Sequence, residues 1–290
     1  MSILIGTEQG LRALDGGADL LRDRPVTAVS GQWALVDDRQ LVSLESGVEA
    51  KLEGPRAWCV LDLGERVYVG TAEARLFAGP SNTADLAPVE SFDRIETRDQ
   101  WYTPWGAPPD TRSLAAGPDG TLFVNVHVGG VWRGTADDRW LEVINVDADT
   151  HQVVADVEQG AVVAAAAVGF GRSVDGGATW DWATDGLHAT YCRAVAIAGD
   201  TTLVTASTGP GSRQGAVYRR RLREDGPFER CRAGLPEWFP FNLDTSQLAA
   251  AGDEAVLGTA DGRVYRSSDA GATWELVADD LPPVRTVTIR

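Results

Sequence analysis

The sequence predicts an all-β fold, because short apolar runs recur along the chain in one repeated unit. Runs rich in Val, Ile, Leu and aromatic residues alternate with turns rich in Gly and Asp, and no stretch has convincing helical periodicity. In the clearest copy, strands are expected at 248–253, 255–259 and 263–266. An antiparallel unit repeated in this way is typical of β-propellers. Related copies lie at 3–7 with 11–14, at 67–71 with 75–77, and at 122–126 with 131–133.

Seven equivalent strand starts set the expected number of blades. When the chain is aligned at the residue two before the first core Val or Leu of each unit, successive starts are 31, 54, 39, 42, 53 and 39 residues apart. This spacing is the blade period of a propeller. The seven starts are Thr27, Trp58, Arg112, His151, Arg193, Ser246 and Arg285.

The two ends of the chain complete one another. The last start, Arg285, has only five residues after it, so the strand at 284–290 lacks partners downstream. Residues 1–24 supply three strands and lack a first one. Pairing these segments completes a seventh blade and removes both exposed sheet edges. We therefore expect residues 1–290 to form one domain, a seven-bladed β-propeller closed by its C-terminal strand.

Two segments match the pattern Ser-x-Asp-x-Gly-x-Thr-Trp and lie 94 residues, or two blades, apart. The pattern resembles the Asp-box, or bacterial neuraminidase repeat, of sialidases, sortilin-like receptors and photosystem-assembly propellers. We expect a structural role, because the Asp can accept turn N–H groups, the Gly permits positive φ and the Trp packs between sheets. The resemblance implies an outer hairpin, away from the channel mouth. The residues are Ser173, Asp175, Gly177, Thr179 and Trp180 in one copy, and Ser267, Asp269, Gly271, Thr273 and Trp274 in the other.

Charge and cysteine content narrow the class of protein. The net charge is −16, which argues against nucleic acid and membranes as partners, since both need a positive footprint. Of the 26 basic residues, Lys51 is the single lysine. This composition fits either a halophilic protein or a GC-rich coding sequence. The N-terminus has no signal-peptide pattern, and no apolar run is long enough to span a membrane. Because Cys59, Cys192 and Cys231 are too few for a disulfide framework, we expect buried, reduced thiols in a cytoplasmic protein.

The strand starts are expected to surround one mouth of the channel, where propellers bind ligands. Arg112, Arg193 and Arg285 would converge there beside Trp58 and form a site for carboxylate or phosphate. The alternative is that each arginine pairs with a nearby aspartate, because Asp110, Asp149 and Asp244 each lie two residues before a strand start. Aromatic linkers at 101–109 and 235–242 bring Trp105 and Trp238 either to the rim of a pocket or over a blade edge.

The histidines are the candidates for chemistry. His151 is a strand start, and His127 ends a second strand, which antiparallel pairing returns to the same end of its blade. Two histidines from adjacent blades can ligate a divalent metal or act in acid–base catalysis. The alternative is that they only form hydrogen bonds. Apart from this pair, the sequence calls for no metal or cofactor.

These observations favour a binding or assembly module that recognises an anionic small molecule, glycan or peptide at the channel mouth. The enzymatic alternative is a sialidase-like glycoside hydrolase or a metal-dependent lyase using His127 and His151. For a sialidase, the resemblance implies an Arg-Ile-Pro motif near the N-terminus, which this sequence lacks, and six blades, where this sequence predicts seven. A Tyr nucleophile with a Glu partner would fall on Tyr102 and Glu96.

Overall fold

In the residues that it describes, the computed structural model has 27 β-strands in seven antiparallel sheets, which surround a central channel as blades. The innermost strands of the blades contact one another in turn around a closed ring. This architecture confirms the predicted seven-bladed β-propeller. The structure describes residues 2–14, 16, 19–117, 120–135 and 138–290.

Six blades each have four strands. In each of them the first strand in sequence is the innermost and the fourth is the outermost. Blade 2 contains β3 (Val26–Ser30), β4 (Trp33–Val36), β5 (Gln40–Ser43) and β6 (Glu49–Lys51). Blade 3 contains β7 (Ala57–Asp62), β8 (Arg66–Thr71), β9 (Arg75–Pro80) and β10 (Ala87–Pro88). Blade 4 contains β11 (Thr111–Ala116), β12 (Leu122–Val126), β13 (Gly130–Gly134) and β14 (Trp140–Ile144). Blade 5 contains β15 (Thr150–Asp156), β16 (Ala161–Ala166), β17 (Gly169–Ser173) and β18 (Asp181–Ala183). Blade 6 contains β19 (Tyr191–Ala198), β20 (Thr201–Ser207), β21 (Ala216–Arg221) and β22 (Glu229–Arg230). Blade 7 contains β23 (Leu248–Ala251), β24 (Glu254–Gly258), β25 (Val264–Ser267) and β26 (Glu275–Ala278).

Blade 1 closes the ring with strands from both ends of the chain, as predicted. Its inner strand, β27 (Val284–Ile289), pairs antiparallel with β1 (Ile3–Thr7), which pairs in turn with β2 (Gly10–Ala13). A single bridge between Leu11 and Leu20 marks the outer edge of this blade. The seam therefore consists of backbone hydrogen bonds between strands about 280 residues apart in sequence.

The hydrophobic core is divided between the blades. Seven clusters of buried apolar side chains lie one between each pair of neighbouring blades. Between blades 2 and 3, for example, Trp33 is fully buried against Val67 and Phe77, and its indole N–H donates to the carbonyl of Ser81 at 3.0 Å. Apolar packing between every pair of neighbouring blades thus stabilises the fold, and this packing does not require the residues of the channel mouth.

The two hairpins that resemble Asp-boxes connect the third and fourth strands of blades 5 and 7, at the end of the channel opposite the strand starts. In the first, Asp175 accepts the N–H and hydroxyl of Thr179 at 2.9 and 2.6 Å. These bonds, the hydroxyl bond foremost, lower the pKa of Asp175 to about 2. Gly177 has φ +86°, and a Cβ there would lie 2.6 Å from Phe123 of the neighbouring blade. The glycine therefore permits both the turn and the close packing between blades.

The second hairpin repeats this arrangement. Asp269 accepts the N–H and hydroxyl of Thr273 at 2.8 and 2.7 Å, and a Cβ on Gly271 would lie 2.5 Å from Leu203. Trp274 is 5% exposed and its indole N–H donates to the Gly271 carbonyl at 3.1 Å, whereas Trp180 in the first hairpin is only partly buried. Both carboxylates are engaged within their own turns, which is the structural arrangement expected of an Asp-box.

Helices are confined to the connections between strands. The 54-residue interval before Arg112 contains a four-residue helix, α1 (Glu90–Asp93), and a 3-10 helix, Glu96–Gln100. Another 3-10 helix, Val146–Ala148, precedes β15. None of the helices in the described part of the chain has the length and apolar composition needed to cross a membrane. The three cysteines are free and buried, as expected, and burial raises the pKa of the Cys59 and Cys192 thiols to about 12.

Candidate functional site

The predicted strand starts share a backbone feature that the sequence did not reveal. In six of the seven inner strands the pairing register shifts at that residue, so Thr27, Trp58, Arg112, His151, Arg193 and Arg285 are each skipped by the partner strand. The seventh start, Ser246, has φ +67° and lies just before β23. A β-bulge turns a side chain away from the regular alternation of a strand, and bulges are frequent beside functional sites. The bulges therefore form a ring of redirected side chains at one end of the channel.

Six of these seven residues line one cavity of about 450 Å³ at the channel mouth. Arg112, Arg193 and Arg285 are among them, together with Trp58, as the sequence analysis expected. Arg56 joins them from the loop before Trp58, with its guanidinium carbon 4.2 Å from the centre of the Trp58 ring. Two acidic residues, Glu8 and Asp244, also line the cavity and offset part of its positive charge.

The arginines of the mouth differ in how firmly carboxylates hold them. Arg193 is held tightly, because both its Nε and one terminal nitrogen lie 2.8 Å from Asp244 Oδ1 of the next blade. Arg112 has a 3.5 Å contact with Asp110. Arg285 lies 3.4 Å from Glu8 and 3.6 Å from Asp38. The alternative of paired arginines thus holds alongside the shared cavity: Arg193 ties two blades together, while Arg112 and Arg285 keep donor capacity.

Two buried donors at the mouth lack acceptors. Trp58 Nε1 and Arg112 Nε are both shielded from solvent, and neither has a hydrogen-bond partner among the described residues. The guanidinium carbon of Arg112 lies 5.3 Å from the Trp58 ring centre, so the two donors belong to neighbouring side chains. Indole and guanidinium N–H groups can only donate. The chemistry that satisfies them is therefore an oxygen acceptor, such as a carboxylate, phosphate or hydroxyl.

The predicted histidine pair forms a second cluster beside this cavity, around Asp149. His127 Nε2 lies 3.3 Å from Asp149 Oδ1, and His151 Nε2 lies 3.9 Å from Asp149 Oδ2. The two imidazole rings are 5.4 Å apart between centres. Asp149 follows the 3-10 helix with φ +48°, a left-handed conformation that aspartate tolerates, so its carboxylate lies beside both rings. Neither histidine is part of the cavity lining, and both are almost fully buried.

Burial and neighbouring charges fix the ionisation of this cluster. Desolvation lowers the pKa of His151 to about 4 against the attraction of Asp149, so the ring is neutral at pH 7. Burial opposes the charge on Asp149, but the 3.3 Å contact with His127 and nearby charges such as that of Arg193 outweigh it and lower the pKa of Asp149. His151 Nδ1 lies 2.7 Å from the backbone carbonyl of Cys192, which can only accept, so this nitrogen carries the ring proton.

The aromatic linkers mostly cover blade edges. In the first, Trp101 is buried against Trp132, and Tyr102 and Trp105 are exposed. Trp105 lies 5.5 Å from His127 between ring centres, next to the histidine cluster but outside the cavity lining. In the second linker, Phe239 is buried against Tyr265.

Trp238 does not line the mouth cavity, so of its two expected places the rim is wrong and the blade edge is the one observed. Its ring is covered by Arg230, whose guanidinium carbon is 3.7 Å from the ring centre, and it packs beside His188. His188 in turn lies 2.8 Å from the Tyr218 hydroxyl and 3.0 Å from the Gln214 carbonyl. This aromatic group is thus a packed layer over blade 6.

Sequence reasoning missed the roles of Arg56 and Asp149. Arg56 lies two residues before Trp58, and the i, i+2 spacing that places residues on one side of an extended segment was an available signal. Asp149 was expected to pair with an arginine, but it faces two histidines. Because Asp149 lies two residues before His151, the sequence placed it at the correct end of blade 5. Its contact with His127 of blade 4 could not be predicted, because that contact depends on the packing between the two blades.

Comparisons with known proteins support the class of fold. No protein-family model and no curated protein sequence matches the chain. Solved structures of β-propellers do match. The chain is similar to the WD40 repeats of RRP9, with a TM-score of 0.65, 14% identity, and coverage of 99% of this chain and 89% of that chain. These findings place the chain among the β-propellers.

Two further structures show how varied the similar propellers are. A catalytically inactive variant of virginiamycin B lyase from Staphylococcus aureus, solved with quinupristin, has a TM-score of 0.61 at 14% identity, over 88% of this chain and 84% of that chain. A chain of the nidogen/laminin complex has a TM-score of 0.59 at 9% identity, over 99% of this chain and 97% of that chain. At these identities the likeness concerns the fold, and function has to be argued from the site.

Proposed function

We propose that the protein is a binding or assembly module that holds an anionic small molecule, glycan or peptide at the channel mouth. The observation that carries this proposal is a pair of buried donors with no acceptor among the described residues, Trp58 Nε1 and Arg112 Nε, in side chains that line the same cavity. A buried donor without a partner costs about 1–3 kcal/mol. A ligand that supplies carboxylate, phosphate or hydroxyl oxygens removes this cost on binding.

The positive charge of the mouth does not by itself explain why an anion should bind there. The four arginines of the mouth are matched by the carboxylates of Glu8, Asp38, Asp110 and Asp244. The loosely paired Arg112 and Arg285 are the groups that an incoming anion can recruit, since their present contacts are 3.4–3.6 Å long. A planar carboxylate can bind a guanidinium through two parallel hydrogen bonds, which are shorter and stronger than these contacts. Trp58 lies beside Arg112, whose guanidinium carbon is 5.3 Å from the centre of the indole ring.

The wider assignment rests on independent features. We propose an Asp-box propeller, because both hairpins repeat the same Asp–Thr hydrogen bonds and the same glycine packing. Three free, buried cysteines support a cytoplasmic location, where thiols stay reduced. The net charge of −16 with a single lysine supports adaptation to concentrated salt.

A titration of the wild type and matched variants tests the site. Inorganic phosphate, malonate, N-acetylneuraminic acid and an acidic peptide would be titrated by calorimetry at low ionic strength. We expect at least one probe to bind, and Arg112→Ala and Trp58→Phe each to weaken that probe by about tenfold or more, the loss of one charge-assisted or buried hydrogen bond. Arg266→Ala is the matched control, because it removes an arginine paired with Glu254 at the opposite end of the molecule.

The outcomes separate the functions. If no probe binds at millimolar concentration, or if binding is equally strong in Arg112→Ala, the mouth is not the ligand site. If a bound probe is chemically altered, as detected by mass spectrometry, the enzymatic alternative is favoured: a sialidase-like glycoside hydrolase or a metal-dependent lyase using His127 and His151.

A further inference from the structure

The cluster of His127, Asp149 and His151 has the composition of a metal site. One ligand atom from each residue can be chosen so that all three atoms lie within 4.8 Å of one another, and no other group of three such residues meets this condition in the part of the chain that the structure describes. Tetrahedral zinc with bonds of 2.0–2.1 Å places its ligand atoms roughly 3.4 Å apart. Small rotations of the two rings would therefore close the cluster on one ion.

The hydrogen bonding of His151 makes a cation the fitting partner. Its Nδ1 donates to the Cys192 carbonyl at 2.7 Å, so in the neutral ring Nε2 presents a lone pair. That nitrogen is fully buried, has no hydrogen-bond partner among the described residues, and lies 3.9 Å from an Asp149 oxygen. A lone pair and a carboxylate oxygen are both acceptors and repel one another. An ion between them turns this repulsion into two coordinate bonds.

The surroundings of His151 match those of histidine ligands in known metal centres. Histidines that bind metals usually donate their second ring nitrogen to a carbonyl or carboxylate, which fixes the tautomer, and the Cys192 carbonyl provides this contact for His151. Two imidazoles and one carboxylate suit borderline first-row ions such as Zn²⁺, Co²⁺ and Fe²⁺, whereas Mg²⁺ and Ca²⁺ prefer oxygen ligands. Arg193 is close enough to Asp149 for its positive charge to repel a bound cation. Its ion pair with Asp244, at 2.8 Å, offsets this charge.

The cluster is accessible from one side. The side chain of Asp149 is 31% exposed, and beside His127 lies Trp105, which is 61% exposed. Three protein ligands leave a fourth tetrahedral position for water or a small ligand. We propose that His127, Asp149 and His151 form a mononuclear site for a divalent ion of the zinc class, open towards solvent beside Trp105. The site is separate from the anion site at the mouth, because none of its residues lines that cavity.

Metal titration of the untagged chain tests the proposal directly. The wild type would be freed of metal with a chelator and titrated with Zn²⁺ by calorimetry and with Co²⁺ by visible absorption, at an ionic strength that suppresses weak binding to surface carboxylates. We expect one equivalent to bind and the Co²⁺ spectrum to show the intense bands of a four-coordinate site. Asp149→Asn and His127→Gln should each weaken binding by about 100-fold or more, at least the loss seen for partners of metal ligands.

His188→Gln is the matched control. His188 is the one remaining histidine of the chain and is bound to Tyr218 and the Gln214 carbonyl, so its removal should leave the metal affinity unchanged. Melting curves of each variant establish that it is folded, and Asp149→Asn preserves the shape of the side chain. If the wild type binds no Zn²⁺ below millimolar concentration, or if both cluster variants bind as tightly as the wild type, the proposal is wrong. Tighter binding of Mg²⁺ than of Zn²⁺ would also overturn it.

Discussion

The two ends of the channel use the same residue types for different purposes. At the end with the Asp-box-like hairpins, carboxylates satisfy backbone turns: Asp62 accepts the N–H of Gln32 and the hydroxyl of Ser81, and Asp156 accepts both the N–H and the side-chain amide of Gln159. At the mouth, carboxylates face cationic or imidazole side chains, as Asp244 faces Arg193 and as Asp149 faces two histidines. These far-end carboxylates are therefore satisfied within their own turns, whereas at the mouth the buried donors Trp58 Nε1 and Arg112 Nε have no acceptor among the described residues.

The backbone explains why the ends differ. The inner strands carry bulges at the mouth, and beyond them each strand follows a regular register to the far end. The cavity that extends along the inner strands towards the far end is lined mostly by small and apolar residues, with Arg112 as its one arginine among the described residues. The mouth cavity is lined by four arginines. Because all seven blades repeat the strand start, a polar residue at any one of these positions is brought to the same ring.

Removing the indole of a far-end hairpin should produce the largest effect on stability. Trp274 is 5% exposed, packs in the core between blades 6 and 7, and donates a hydrogen bond to the Gly271 carbonyl. We expect Trp274→Ala to cost about 3–5 kcal/mol of unfolding free energy, measured by denaturant titration. Trp180→Ala should cost less, because Trp180 is partly exposed and its indole nitrogen has no partner among the described residues.

Neither substitution should change binding at the mouth of the protein that remains folded. If Trp180→Ala destabilises the fold as much as Trp274→Ala, burial does not set the difference between the two hairpins. If either variant loses ligand affinity while fully folded, the two ends of the channel are coupled and cannot be treated as separate.

Salt should affect the fold and the mouth in opposite directions, with a smaller effect. The surface carboxylates repel one another at a net charge of −16, and salt screens this repulsion. We expect the melting temperature to rise between low and molar salt by at least about 2 °C, roughly the change that 1 kcal/mol produces in a chain of 290 residues. Anion binding at the mouth should weaken over the same range, since the arginines are screened as well. A melting temperature that does not change with salt would remove the proposed adaptation to concentrated salt.

The sequence predicted the fold because the fold is a repeat. The same Val and Leu positions, recurring at intervals of 31 to 54 residues, identified all seven inner strands, and the first strand missing from residues 1–24 matched the unpaired strand at 284–290. The same alignment placed Arg112, Arg193 and Arg285 at one cavity, because positions equivalent in sequence are close in a ring of pseudo-symmetric blades. These predictions needed only the repeat and no knowledge of side-chain conformations.

The contacts within the site could not be predicted in the same way. Whether Arg193 forms an ion pair depends on its distance from Asp244 of the next blade, a residue 51 positions away in sequence. Trp238 was placed at the rim because the linkers are aromatic, yet Arg230 covers its ring on the outer side of blade 6. The partnership of Asp149 with two histidines likewise depends on packing between blades 4 and 5. The repeat thus predicts where a residue lies along its blade. The packing between blades determines which polar side chains remain available to bind a ligand.

A crystal structure of the wild type with the tightest-binding anion tests the central claim, that the mouth keeps donors for a ligand. We predict density for the anion in the cavity of about 450 Å³, with its oxygens within hydrogen-bond distance of Trp58 Nε1 and Arg112 Nε. We also predict that the longer contacts of Arg285 with Glu8 and Asp38 are replaced by contacts with the anion. An anion bound at the far end, or a mouth in which both nitrogens bond to the protein's own carboxylates, would contradict the account.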